Sequence, residues 1–528
     1  MPAELASRVL IVGYGPVGQL LSVLLARKGW DVTVLERWPR PYTMPRAVAF
    51  DGECARILAD AGVGGHIAEF GEPSGDYIWR NADGDDLLHY VSPATGGLSG
   101  WPDSTSMYQP GLESALIARG EGLPGLRVLR GHRAVGLTRE ADGPVTVEAA
   151  DASGGTLRIT ADWVVGCDGA NSFVRGAMDA DWTDLGFRYD WLICDVVLKE
   201  PRAFWPNNLQ ICDPARPRTA VSAGPGHRRW EFMRVPGESP QEFDSRDTAW
   251  RLLEEFDVRP DNATMDRHAV YTFQAGWANK WRDGRLLLAG DAAHLMPPFA
   301  AQGMSSGFRD AANLAWKLDL VLAGHADEAV LDTYTDERRE HVRHAVDMSV
   351  SLGKVICLTD PRAAAERDEL MLAMRGRTVG ATAQPSAVHP LTGGFLHEDG
   401  AASAGGLTPQ GRVSGSGAAR LLDEETGTGL RLLTTVPLTE LLDAERRAFL
   451  YGLGVRTVRI VPPGTAPGDG TTVRDDEDVL LPYLAQHGAV AALVRPDFYL
   501  YGTAGDGDAL RALVDGLRAR LGDHALRR

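Results

Sequence analysis

Hydrophobic positions change period several times along the chain, and each change marks an element. Arg8–Val12 is a short apolar strand, and Leu20, Leu21, Leu24 and Leu25 then recur at helical spacing within Val17–Arg27. Asp31–Leu35 reads as a second strand ending at Glu36. Strand, glycine-rich turn, helix and strand in that order make a βαβ unit. Strand patterns return between 127 and 166, at Val145–Ala149, Thr156–Ile159 and Trp163–Gly166. From 180 to 275 apolar and polar positions alternate with many aromatics, as in Trp191–Leu198 and Trp230–Val235, which predicts a mostly antiparallel sheet. Long helices are expected over 305–323 and 328–356. The stretch 376–420, rich in Gly, Ala, Ser, Thr and Pro, reads as a linker with loops. Beyond it, strands at Arg456–Val461 and Ala489–Val494 alternate with helix-like runs at Leu438–Phe449 and Asp508–Leu521, as in a small α/β domain.

Composition narrows the function classes. At about 100–200 residues per domain, 528 residues make about three domains or one interleaved unit. A 44% apolar and 24% charged chain is ordinary globular protein. The net charge of −17 argues against non-specific binding to nucleic acid or to an anionic membrane. Cys54, Cys167, Cys194, Cys212 and Cys357 form no CxxC and no disulfide framework. A reducing, cytoplasmic setting without a metal site is therefore expected. No segment has the ~18 uninterrupted apolar residues of a membrane span, and the short run Val9–Val12 is no signal peptide. A monomer or homodimer is expected.

Three motifs carry chemistry. Gly13-Tyr-Gly15-Pro-Val-Gly18 lies between strand and helix, with Glu36 at the end of the next strand. Glycines admit a pyrophosphate to the backbone, the helix N-terminus favours its charge, and the carboxylate suits a ribose hydroxyl. The bare pattern is weak. Gly120-Glu-Gly122-Leu-Pro-Gly125 matches too, but it follows a helix, precedes a strand and contains Pro124, so a plain loop is expected there. The second motif is Cys167-Asp168-Gly169 running to Arg175, although Asp-Gly after a strand is also a common turn. The third is Leu286–Gly290-Asp291-Ala-Ala-His294, followed by Pro297–Gly307 and a long helix. An Asp at a strand's C-terminal end points into the crevice where ligands lie.

Together, in this order and spacing, the three motifs resemble those of the FAD-dependent aromatic hydroxylases, the single-component flavoprotein monooxygenases. The resemblance covers about residues 5–395, and Trp281–His294 with Arg309–Lys317 is most similar to the branch of 3-(3-hydroxyphenyl)propionate hydroxylase and bacterial polyketide hydroxylases. It implies an α/β fold, with a Rossmann-like FAD-binding domain interleaved with an antiparallel-sheet substrate domain, plus a C-terminal thioredoxin-like α/β domain. The expected boundaries are 1–176 for the first FAD-binding part (72–108 facing substrate), 177–276 for the substrate sheet, 277–395 for the second FAD-binding part, and 396–528 for the C-terminal domain. Leu493–Asp497 is similar to that last domain's strand and turn, but the absence of cysteine there excludes thioredoxin-type redox chemistry.

The resemblance also implies site roles. Gly13, Gly15 and Gly18, with Pro16 and Val17, pack on the FAD pyrophosphate, and Glu36 with Arg37 sits at the adenosine ribose. Arg46 and Gln109 reach the FAD. Asp168 braces the nucleotide, and Gly290-Asp291 binds the ribityl or pyrophosphate region. Pro298 and Ala301, Gln302, Gly303 and Met304 hold the flavin's pyrimidine end. The family usually has Gly at position 301. If φ is positive there, Ala carries strain of about 1 kcal/mol or more.

The implied reaction consumes NADH or NADPH and O2. A reduced flavin forms a 4a-hydroperoxide in a dry pocket and delivers OH ortho or para to a phenolate. With no second GxGxxG in a βαβ setting, the nicotinamide is expected to dock transiently. Trp191, Trp230, Tyr271, Phe273 and Pro298 are candidate substrate contacts, though the aromatics fit a sheet core equally well. Tyr271 and His294 are candidates for the base that helps ionise the phenol, with His294 also readable as structural. Arg228, Arg229 and Glu231 are candidates to touch substrate, though on an alternating strand they read more readily as a solvated face. Two alternatives remain open: a Baeyer–Villiger-type or epoxidising flavin monooxygenase on a polyketide, and a non-catalytic flavin- or drug-binding protein.

Overall fold

The strand Ala3–Val12 pairs in parallel with Thr156–Gly166 on one side and Val32–Glu36 on the other, and Leu126–Arg130 and Leu286–Leu288 extend this parallel core. Val9, Leu10, Ile11, Val32, Val34, Val164 and Val165 are buried, as expected of a parallel sheet covered on both faces. These relationships come from a computed structural model that describes residues 3–41, 46–140, 143–375, 389–398, 404–415, 417–465 and 471–522.

Helix Pro16–Arg27 starts with Pro at its first turn and packs against the long helix Gly303–Leu322. A Cβ at Gly307 would stand 2.5 Å from Val17 Cγ2, so this glycine sets how closely the two helices approach. The second long helix is Asp332–Ile356.

The second sheet has eight strands in the order His294–Leu295, Ala263–Ala278, Trp182–Leu198, His227–Met233, Arg218–Ser222, Asn208–Ile211, Asp76–Arg80 and Asp86–Val91. The last two come from within 1–176, so this sheet extends beyond the span 180–275 that the sequence pattern marks. Asp76–Arg80 joins it in parallel to Asn208–Ile211. One face, with Leu192, Cys194, Val196, Trp230 and Phe232, packs on helix Arg246–Leu253. That helix and Pro240–Phe243 interrupt the span expected to be mostly antiparallel sheet, each capped by a serine, Ser245 and Ser239.

The C-terminal sheet runs Arg420–Leu421, Arg412–Ser414, Thr472–Asp475, Arg456–Val461, Arg431–Thr434, Ala491–Val494 and Leu500–Ala504. Thr472–Asp475, Arg456–Val461 and Arg431–Thr434 are parallel, and the last two strands continue antiparallel. Arg412–Ser414 falls within 376–420, the span expected to be a linker with loops, and Arg420–Leu421 begins at its end. Of that span, 376–388, 399–403 and 416 lie outside the described residues. The run Leu438–Phe449 is two helices, Leu438–Leu441 and Ala444–Gly452, because the Asp443 side chain caps the second. This unit docks on the rest of the chain through buried charges. Arg56 meets Asp423 at 2.6 Å, and Arg495 meets Glu337 at 2.6 Å.

Candidate active site

The glycine-rich turn is shaped by close backbone approaches. Gly13 has φ +102°, and a Cβ there would stand 2.3 Å from the Cys167 carbonyl oxygen. A Cβ on Gly18 would stand 2.2 Å from the Gly13 carbonyl oxygen. Gly15 differs: nothing lies within 4 Å of its virtual Cβ, and it heads helix Pro16–Arg27 with no side-chain cap. The uncapped start of that helix, at Gly15, Pro16 and Val17, borders the cavity, as an anion site requires. The Glu36 carboxylate accepts from the Tyr14 and Trp38 backbone N–H groups, both at 2.8 Å, and retains lone pairs for a hydroxyl.

A second turn faces it. Asp310, buried in helix Gly303–Leu322, accepts from the Gly290 N–H at 3.0 Å, from His294 Nε2 at 2.7 Å and from Arg338 Nε at 2.9 Å. Burial alone would raise the Asp310 carboxyl, but the His294 and Arg338 charges and these hydrogen bonds outweigh it and hold it below its usual range. Locked in this way, the turn presents Asp291 to the cavity, 2.9 Å from Arg46 Nη1. Gln109 Oε1 accepts from the backbone N–H of Arg46 and of Ala47, and Gln109 Nε2 donates to Glu113. Gln109 thereby orients the Arg46 segment.

Ala301 has φ +54°, the left-handed conformation that favours glycine. Gln302 turns its side chain away from the cavity onto Arg309 and Asp51, and Arg309 also binds Glu53. Helix Gly303–Leu322 starts there without a side-chain cap.

Between the two turns and the second sheet lies a cavity of about 1460 Å³. Gly13, Gly15, Pro16, Val17, Glu36, Arg37, Arg46, Gln109, Asp168, Asp291, Pro298, Ala301, Gly303 and Met304 all reach it, whereas Gly18, Gly290 and Gln302 support its wall from behind. The Asp168 carboxylate is spent on its own loop, accepting from Ser172 Oγ and the Phe173 and Val174 N–H groups. It shapes the wall rather than offering a free ligand.

The sheet side is aromatic and charged. Tyr271, Phe273 and Phe299 line the cavity, with Phe299 edge-on to Phe273 at 5.8 Å. Trp191 lies behind them, stacked on Phe273 at 5.7 Å, and does not reach the cavity. Trp230 points to the opposite face, among Phe204 and Phe256, and is no substrate contact. The alternation of His227–Met233 explains this. If Arg229 and Glu231 face the cavity, Trp230 between them cannot. Arg228 also points away and lies over Phe204. Arg229 and Glu231 are therefore cavity wall, not the solvated face expected. Asp195 pairs with Arg229 Nε at 2.7 Å and with Arg267 Nη2 at 3.0 Å, and Arg267 Nη1 donates to the Tyr271 hydroxyl at 3.0 Å. His294 is buried and held to Asp310 through Nε2, and its ring also borders the cavity. Sequence reasoning missed Asp310, Arg338, Asp195, Arg267 and Phe299. Strand alternation was the available signal for Asp195 and Arg267.

A family model described as an FAD binding domain matches residues 6–349, and one described as the HcaD C-terminal domain matches 405–520. The chain is 39% identical over 515 residues to the "Probable NADH-specific resorcinol 4-hydroxylase" of Rhodococcus jostii (strain RHA1), covering 97% of this chain and 94% of that protein. This chain belongs to the FAD-dependent aromatic hydroxylases. The hydroxylase is also 31% identical to the 3-(3-hydroxy-phenyl)propionate/3-hydroxycinnamic acid hydroxylase of Klebsiella pneumoniae (strain 342), over 98% of this chain and 96% of that one. It shares its fold with the flavin-dependent monooxygenase PieE, solved with FAD and substrate (TM-score 0.81, 21% identity, 99% of this chain and 100% of that one). Aklavinone-11 hydroxylase, solved with FAD and aklavinone, has the same fold (TM-score 0.77, 23% identity, 98% and 99%). The hydroxylase's own geometry fits FAD. The open cradle at Gly15 and two helix N-termini without side-chain caps suit its phosphates and its pyrimidine end. Among the described residues, no helix is long and apolar enough to cross a membrane.

Proposed function

We propose that this hydroxylase uses NADH and O2 to hydroxylate a small phenol bound between the flavin loop Pro298–Met304 and the Tyr271–Phe273 wall. The observation that carries the reading is the sheet wall itself, where aromatic rings and an Arg–Tyr hydrogen bond face the same cavity as the nucleotide turns. The relative named as a resorcinol 4-hydroxylase supports a small phenol and NADH.

FAD, when bound, supplies electron transfer from NADH and activation of O2. The chain's own residues do the rest. Gly13, Gly15 and Glu36 hold the adenosine end, Asp291 and Arg46 the middle, and the start of helix Gly303–Leu322 stabilises negative charge at the pyrimidine end. Phe273, Phe299 and Pro298 exclude water from the reacting ring. Arg267, through Tyr271, favours the ionised phenol.

We read the chain as an FAD-binding part in 1–176 and 277–395, a substrate sheet in 177–276 that borrows strands from 72–108, and a C-terminal domain in 396–528. Three parallel strands continued by an antiparallel pair support a thioredoxin-like fold for the last. Purified, flavin-loaded protein supplied with NADH and resorcinol tests the reading. A product one oxygen heavier, formed nearly one for one with NADH consumed, is expected. NADH consumption that no phenol stimulates would overturn it, and a ring-expanded product from a ketone substrate would favour the Baeyer–Villiger alternative.

A further inference from the structure

We propose that Glu231 is a catalytic residue of this hydroxylase, the carboxylate that accepts the hydrogen bond of a ring hydroxyl and takes up its proton. The inference rests on the phenol-hydroxylating reading above and adds the residue that the reading leaves unassigned.

Glu231 lies on strand His227–Met233, in register with Ile193 on one neighbouring strand and Thr219 on the other. Its side chain faces the cavity, two residues along the strand from Arg229. It is only 7% exposed, yet no hydrogen bond from a described residue reaches its carboxylate, and Arg229 Nη1 stands off at 3.8 Å. The neighbouring Asp195 shows the contrast, being engaged by Arg229 and Arg267 together. A buried carboxyl without a hydrogen bond is costly, and such groups concentrate at functional sites. Here the unfilled partner position is the cavity itself.

The surrounding charges suit a proton acceptor. Arg229 on the same strand, Asp195 on the adjoining strand Trp182–Leu198, Arg267 on Ala263–Ala278 beyond it and Tyr77 on Asp76–Arg80 are the charged and titratable groups around Glu231. Burial raises the Glu231 carboxyl above its usual range, with Arg229 opposing, which makes it a stronger base than an exposed glutamate. In the step, the substrate O–H bond breaks and an O–H bond to Glu231 forms. The negative charge moves from the carboxylate to the phenolate oxygen, still beside Arg229 and Arg267. Nothing is oxidised, and the charge in the cavity is unchanged. A resident carboxylate also selects against rings bearing a carboxylate tail, so neutral phenols and benzenediols are the substrate class.

The test compares wild type, Glu231→Gln and Glu231→Asp as full-length, FAD-loaded protein with NADH. Resorcinol and 3-(3-hydroxyphenyl)propionate are the probes. The Gln variant should keep its flavin and lose about 10²–10⁴-fold in kcat/KM for resorcinol. It should also lose the acid limb of the pH profile, and the Asp variant should recover part of both. Wild type should prefer resorcinol, with the preference shrinking in the Gln variant. A Gln variant with wild-type kcat/KM and pH profile per bound FAD overturns the role of Glu231 while the hydroxylase reading stands. Wild-type protein that hydroxylates no phenol overturns that reading, and this inference with it.

Discussion

His294 Nε2 lies 2.7 Å from Asp310 Oδ2, and both side chains are buried. The same carboxylate oxygen accepts the Gly290 N–H, so one buried acid holds the turn that presents Asp291. Asp310→Asn should therefore lower stability by about 3–5 kcal/mol, since it leaves Arg338 and His294 without their counter-charge. It should also release flavin. Thermal unfolding and the flavin-to-protein absorbance ratio read both, and a variant with wild-type values in each would refute the argument. Because the Asp310 carboxyl sits below its ordinary value of 3.8, its contribution is present above that pH and fades as the medium is acidified below it.

Ala301 sits at φ +54°, where an L side chain costs about 1–2 kcal/mol. Ala301→Gly relieves this, but a glycine also loses about 0.4–1 kcal/mol through its freer unfolded chain. A net gain of roughly 0.5–1 kcal/mol is expected, seen as a higher denaturant midpoint at unchanged m-value. Ala301→Val should lose stability and flavin together.

Trp230 and Phe273 lie on opposite faces of one sheet, so their truncations should separate cleanly. Trp230→Ala empties a core site and should cost about 3–5 kcal/mol, with KM for the phenol unchanged. Phe273→Ala opens the cavity wall and should raise KM and divert NADH into peroxide release. Steady-state kinetics with a peroxide assay distinguish them. Equal KM effects from both would contradict the placement of the cavity.

Glu337 anchors the C-terminal unit, with Arg495 at 2.6 Å and Lys317 at 2.9 Å. Burial pushes its carboxyl up, but Arg495 and Lys317 outweigh this and bring it down to about 2 from an ordinary 4.5. A depressed carboxyl stabilises the fold above about 4.5, and that contribution is lost as pH falls toward 2. Burial depresses Lys317 to about 8, so through this group stability rises between about pH 8 and 10.5. Glu337→Gln should cost about 3–5 kcal/mol at neutral pH and flatten the acid limb. Denaturant midpoints measured from pH 3 to 7 test this, and parallel profiles for wild type and variant would count against it.

The βαβ start, the long helices and the nucleotide-facing turns were legible in the sequence by itself. Period and apolar runs are local properties, and Gly18 is needed because of the Gly13 carbonyl within its own motif, whereas Gly13 makes room for the Cys167 backbone of the second motif, a contact that only the fold creates. The left-handed residue at 301 could likewise be suspected from one position. Tertiary structure alone decided which aromatic meets substrate, because Trp230 and Phe273 carry the same strand signature and differ only in what covers each face. It alone brought Asp76–Val91 into the substrate sheet, bound Gln109 to Arg46, held His294 to Asp310 and left Glu231 facing the cavity with Arg229 at 3.8 Å. Those relationships join residues far apart in the chain, and hydrogen-bonding and burial across such distances leave no periodicity to read.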